Sequence, residues 1–135
     1  MDAYTTCNEV LSQLGETIPQ SLDAPKKKKM IEATSKMTRS ISDTDLLEMK
    51  EMDERLSISL KFYSFMTTLA FFAKPEIFAF LSCRMVQLTM QNGICKYSIM
   101  GFVQYAMMLC CKRVKDIKGA SQIGKAAMSL PDESC

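Results

Sequence analysis

Pro75 and Gly93 bracket a stretch that only a helix accommodates well. A proline at the first helical position loses no needed N–H and arrives with a helical φ. A glycine just past the end takes the left-handed conformation that closes many helices. Between the two marks, Phe78, Leu81, Met85 and Leu88 recur at spacings of three, four and three, so they share one helical face. The spacing predicts a helix from Pro75 to Asn92 closed by Gly93, with neighbours of the same kind on both sides.

The rest of the chain agrees with an all-α reading. Its 135 residues include only 5 Gly and 4 Pro, against 12 Met, and β-branched residues are not enriched. Apolar residues make up 47% and charged residues 24%, which is enough apolar material for a packed core in about one domain. The net charge of +2 is too small to imply nucleic acid by itself. There is no histidine, which removes the commonest metal ligand and general base, and with it Ser/His and Cys/His nucleophile pairs. The six cysteines, Cys7, Cys83, Cys95, Cys110, Cys111 and Cys135, include no CxxC pair, so neither a zinc site nor another metal site is expected. Adjacent Cys110 and Cys111 would point apart on a helix. Asn8, Glu9 and Gln13 interrupt the first apolar residues, which is not the pattern of a secretory segment. Reduced, mostly buried cysteines in a cytoplasmic protein follow as the expectation.

Periodicity places the remaining helices. Tyr4, Cys7, Val10, Leu11 and Leu14 predict a helix from Ala3 to Gly15, with Glu16-Thr17-Ile18-Pro19 as its exit. A sparse pattern of Met30, Ala33 and Met37 predicts a peripheral helix from Lys26 to Thr38. A break at Ser40-Ile41-Ser42-Asp43 and a short turn from Asp45 to Met49 follow. From about Asp53 to Phe72 a long helix carries Leu56, Leu60, Tyr63 and Thr67 on one side. Phe62, Phe65, Met66, Leu69, Phe72 and Ala73 lie on its other side, so it should be flanked by helices on at least two sides. Its uncharged run, Phe62 to Ala73, is shorter than the about 20 residues a membrane span needs. A helix from about Lys96 to Lys112 should turn Ile99, Val103, Ala106 and Cys110 to one face, with Phe102, Tyr105 and Leu109 beside them. Gly101 and Ala106 are small enough for a neighbouring helix to come close. The last helix, near Asp116 to Leu130, presents Ala120, Ile123, Gly124 and Ala127 inward, and Pro131 ends it. Short connections at Gly93–Cys95 and Val114–Lys115 favour antiparallel neighbours, stacked in pairs rather than closed into a bundle. The division expected is a peripheral part, 1–52, and a stacked helix-pair core, 53–135.

No residue set here carries a reaction, so no catalytic, cofactor or metal residues are assigned. Lys26–Lys29 could face nucleic acid, anionic lipid or an import receptor, but Glu32 nearby and the lack of interleaved aromatics fit a solvated helix start better. Arg39-Ser40-Ile41-Ser42 offers Ser40 and Ser42 as phosphate acceptors, in a string that also arises by chance. Tyr97, Phe102 and Tyr105 read as packing rather than a base-stacking platform. Glu48, Glu51, Asp53 and Glu54 read as a solvated face beside Lys50 and Arg55 rather than a cation site. The methionines, at helical spacing, are expected to fill the core, although a Met-rich groove can also adapt to partner helices. Gly119 to Lys125 falls short of a phosphate-binding loop, with too few intervening residues and no Ser or Thr after the Lys.

Two resemblances extend this. Ala120, Gly124, Ala127 and Pro131 resemble the second-helix frame of the tetratricopeptide repeat, with Gly124 where an aromatic is usual. Cys7-x2-Val10-Leu11-x2-Leu14-Gly15-x3-Pro19, Asp45-Leu46-Leu47 through Glu51-Met52, and Pro75-x2-Phe78-x2-Leu81 with Met85-Val86-x-Leu88-Thr89-x3-Gly93 form a longer pattern. Ser98, Tyr105, Leu109-Cys110, Asp116-Ile117, Gly124 and Ala127 continue it. Together they resemble the helical region of large multidomain signalling ATPases. In those proteins a protein-kinase-like domain and an AAA-type ATPase come first, and a histidine-kinase or cyclase module often follows. Lys74 stands where that pattern has Asn, Ala106 where it has Gly, and Lys26–Lys29 lie outside it. The resemblance implies a tetratricopeptide-like solenoid that binds protein partners or neighbouring domains of the same polypeptide. It implies no nucleic acid and no catalysis, in a chain that is a fragment lacking the ATPase. The alternative it implies is a part of an ATP-dependent kinase or ATPase whose catalytic domains lie outside these residues.

Overall fold

Residues 2–39, 45, 48–110 and 117–129 are described by the computed structural model, which is all-helical, with no strand among the described residues. The helices are α1 (Ala3–Gln13), α2 (Ala24–Arg39), α3 (Glu54–Ala73), α4 (Pro75–Asn92), α5 (Ser98–Leu109) and α6 (Ile117–Ser129). Three of them start on an aspartate whose carboxylate accepts an otherwise unpaired backbone N–H. Asp2 takes Thr5 N–H at 2.7 Å, Asp23 takes Lys26 N–H at 2.9 Å and Asp53 takes Leu56 N–H at 3.0 Å. α4 starts on Pro75 and stops at Gly93 as the sequence predicts. α1 ends in a two-bond cap: Gly15 at φ +91° donates to Ser12 O at 3.1 Å, and Glu16 N–H reaches Leu11 O at 2.9 Å.

Packing radiates from α4. Ten of its side chains are buried, including the predicted Phe78, Leu81, Met85 and Leu88, and it touches α2, α3 and α5. α3 also packs on α1 and α5, α5 on α6, and α2 reaches α6. Phe71 of α3 meets Phe78 of α4 edge-to-face at 5.2 Å. Gly101 faces Met85, where an added Cβ would stand 3.0 Å from the Met85 Cβ. Gly93 lets the backbone of 50–52 lie against the α4–α5 turn. There Met52 N–H donates to Ile94 O at 2.7 Å and Ile94 N–H to Lys50 O at 2.9 Å.

Several faces differ from the periodicity. On α2 the buried residues are Thr34 and Thr38, whereas Ala33 is exposed and Met30 and Met37 are half-buried. Thr34 is held there by Gln87 of α4, whose amide donates to its hydroxyl at 2.9 Å. On α5 the periodicity leaves open which face is inward; Phe102, Tyr105 and Leu109 are buried, whereas Val103 and the capping Cys110 face solvent. The helix has no charged residue, so its pattern does not say which side is wet. On α6, Ala120, Ile123 and Ala127 are buried as predicted. Ser40 and Ser42, Leu46 and Leu47 of the turn at 45–49, Cys111, Pro131 and Cys135 lie outside the described residues.

Two glycines should respond oppositely to an added methyl. Gly93 sits at φ +108°, and an added Cβ would stand only 2.5 Å from Lys50 O, so Gly93→Ala is expected to cost about 1–3 kcal/mol. Gly124 has nothing within 4 Å and lies inside α6, so Gly124→Ala is expected to stabilise by up to about 1 kcal/mol. Gly101→Leu should lower the melting temperature by prising α5 from α4. Urea titration of the three variants checks all of this, and a neutral Gly93→Ala contradicts the placement of that turn.

Candidate functional site

α3 divides its apolar residues between two opposite faces. The buried face is Ser59, Leu60, Tyr63, Met66, Thr67 and Ala70. Ile58, Phe65, Leu69 and Phe72 fall on the other side with half-buried Phe62, and they face solvent: Phe65 is 50% and Phe72 83% exposed. The polar Ser59 and Thr67 are inside and two phenylalanines outside. Both hydroxyls are satisfied locally, Ser59 on Arg55 O at 3.3 Å and Thr67 on Ser64 O at 2.9 Å, so their burial leaves no orphan donor. The expectation that α3 is flanked on at least two sides holds, since α1, α4 and α5 all touch it. Its second apolar side is left uncovered all the same.

α5 repeats the arrangement. Met100, Val103 and Met107 are exposed at spacings of three and four, beside exposed Cys110. Since α3 and α5 are in contact, two adjoining helices both offer apolar side chains to solvent. Isolated exposed apolar residues are ordinary, whereas a row of them along one helix face is not. By length and composition α3 would also cross a membrane: it has 20 residues and a mean hydropathy of 1.3 over its most apolar window, of which 33% is buried.

A polar clasp anchors α3 from behind. The α1 cap swings Glu16 inward, where one carboxylate oxygen accepts from Tyr63 Oη at 2.6 Å and from Arg84 Nε at 2.9 Å. The other carboxylate oxygen lies 3.3 Å from an Arg84 terminal nitrogen. The side chains of Arg84 and Glu16 are 29% and 11% exposed, so this pair is partly desolvated. Burial works to raise the Glu16 carboxyl, but the hydrogen bonds from Arg84 and Tyr63 and the Arg84 charge outweigh it and hold the group below its usual value. Burial, then the bond to Glu16, pushes Tyr63 far above the ordinary phenol range. The bond to Glu16 raises Arg84 against its desolvation. Three segments far apart in sequence thus meet at one carboxylate. Periodicity misses this cluster; its signal is Arg84 itself, the sole charge in α4 beyond Glu76.

The other candidates disperse. Lys26, Lys28 and Lys29 are exposed, Lys26 within 3.9 Å of Asp23, whereas Lys27 is half-buried. Lys27 and Lys28 line a cleft of about 390 Å³ with Leu22, Ile31, Glu32 and Glu76, a mixed-charge lining that selects neither anion nor cation. Phe102 and Tyr105 are buried and Tyr97 is half-buried, so they form no stacking platform. Asp53 is engaged as a cap, and no metal-binding group of three or more ligands occurs among the described residues. Gly119 to Lys125 lies within α6. Of the cysteines, Cys7 and Cys83 are buried, Cys95 is half-buried and Cys110 is exposed. Burial pushes Cys83 up to about 12, which keeps its thiol protonated and inert at neutral pH. Met66, Met85 and Met108 fill the core, while Met100, Met107 and Met128 face solvent. No protein-family profile, curated protein or solved structure matches the chain.

The clasp sets an acid limit on stability. A carboxyl held below its usual 4.5 in the folded chain contributes fully above that value, and the contribution is lost as pH falls through the lower folded-state value. The melting temperature is expected to be level down to about pH 5 and then to fall. Glu16→Gln is expected to cost about 1–3 kcal/mol at neutral pH and to flatten the acid limb. Equal acid sensitivity in both chains would remove Glu16 from this role.

Proposed function

We propose that this chain is a non-catalytic helical scaffold that docks protein partners or neighbouring domains on the exposed apolar face of α3 and α5. The observation that carries the reading is the solvent-facing stripe Ile58, Phe65, Leu69 and Phe72 on a helix whose opposite side is already packed. Keeping such a surface wet is unfavourable by about 25 cal/mol per Å² of apolar area, and a partner that covers it recovers that free energy.

The contact pattern supports a stacked, tetratricopeptide-like reading. α1, α3 and α5 touch in succession, α2 touches α4, and consecutive helices pair from α3 onward. In such a stack no helix pair buries its apolar side alone, and each pair lends its surface to the next. The setting proposed is a signalling regulator of the ATPase and kinase type, a proposal that stands on the motifs running from Cys7 to Ala127. On the alternative reading the chain is part of such an enzyme, with its catalytic domains outside these residues. A spanning role for α3 is the competing use of its apolarity. Against it stand the buried side of that helix, with Thr67 and Ser59 inward, and Tyr63 bonded to Glu16.

A photoreactive phenylalanine analogue at 65 or 72, with position 36 of α2 as control, tests the docking surface in cells. The expected result is adducts from both positions that map to one surface of the same protein or to another part of the same polypeptide, none from 36, and their loss in Leu69→Ser. Adducts to lipid alone, or equal labelling from all three positions, would overturn the reading.

A further inference from the structure

The charges around the exposed stripe narrow the partner. After Glu54 in its first turn, α3 carries Arg55 and Lys61, with Lys74 as its C-terminal cap, and no carboxylate; α5 carries no charge at all. At 100° per residue, Arg55 and Lys61 fall on opposite flanks of the line through Ile58, Phe65, Leu69 and Phe72. Both are exposed, and neither forms an ion pair among the described residues. Lys74, at the far end, sits 4.5 Å from the Tyr4 ring centre and remains exposed. From Ile58 to Phe72 the stripe runs ~21 Å, about four helical turns.

We propose that the partner laid on this face is an amphipathic helix of about four turns whose apolar side is flanked by carboxylates, an inference that rests on the docking reading above. The apolar side would cover Phe65, Leu69 and Phe72, and the carboxylates would meet Arg55 and Lys61. A second copy of this chain is disfavoured, since its own stripe brings the same cations to the same flanks. An anionic bilayer would meet Asp53 and Glu54 at the start of α3 with like charge, and the strongly basic α2 packs on α4 and α6 without touching α3. A helical partner can match both ends; a uniformly negative surface cannot.

The test uses the full chain and two synthetic peptides of about sixteen residues. They share one Leu/Phe stripe and differ only in carrying Glu or Lys on its flanks. Fluorescence anisotropy is expected to show the Glu-flanked peptide binding about tenfold tighter or more, with the difference shrinking as salt rises from about 50 to about 300 mM. The double variant Arg55→Glu/Lys61→Glu should reverse the preference. Phe65→Ser/Leu69→Ser should abolish binding of both peptides while leaving the circular dichroism and melting temperature unchanged. Equal affinity for the two peptides would overturn the charge assignment while leaving the docking face intact. No binding of either, with the crosslinks at 65 and 72 still formed, would also overturn it; loss of the crosslinks too would remove the docking face itself. Displacement by phosphatidylglycerol vesicles, or concentration-dependent dimerisation abolished by Phe65→Ser/Leu69→Ser, would assign the face to lipid or to self-association instead.

Discussion

Arg84 is a cation set in the middle of the most buried helix of the chain, and a charge in that position needs a partner before the helix can be covered. Glu16 is that partner, and Tyr63 binds the same carboxylate. Removing one side of a partly desolvated pair leaves the other stranded, which costs far more than an exposed pair gains. The pairing therefore fixes where the exit of α1 must lie and how α3 is turned about its own axis. Once Tyr63 points at Glu16, Leu60, Met66 and Thr67 point inward with it, and Phe65, Leu69 and Phe72 point out. The exposure of the candidate docking face is the other half of the clasp's geometry.

What was legible in the sequence was local. Pro75 and Gly93 mark the ends of α4 in the sequence, and its stripe is buried as its spacing requires. Gly15 likewise announces the end of α1. Facing was less legible wherever a helix lacked contrast. α5 has no charge to mark its wet side, so its two adjoining apolar faces could not be told apart, and the structure turns Phe102, Tyr105 and Leu109 inward. α2 buries Thr34 in preference to Ala33 because Gln87 offers its hydroxyl a partner, a relation between residues 53 apart in sequence. Glu16 to Arg84 spans 68 positions, beyond any pattern that periodicity can detect.

The outward stripe of α3 shows how apolar content and burial separate. Leu56, Leu60, Tyr63 and Thr67 read as one side and Phe62, Phe65, Met66 and Leu69 as the other; the structure turns Met66 inward with Leu60 and Tyr63 and leaves Phe65 and Leu69 outside. Three neighbours, α1, α4 and α5, touch this helix, and they leave one side open. Small Ser59 and Thr67 are buried on the packed side, whereas Phe65 and Phe72 stand outside. Local consistency broken in this way is characteristic of surfaces kept for another purpose.

Lys74 is the sole residue between α3 and α4, and its backbone ends one helix and begins the next. Its N–H closes on Ala70 O at 2.8 Å, and its carbonyl receives Phe78 N–H at 3.0 Å. With its N–H and its carbonyl both committed, the joint leaves no spare residue, and the two rods meet as an elbow rather than across a flexible linker.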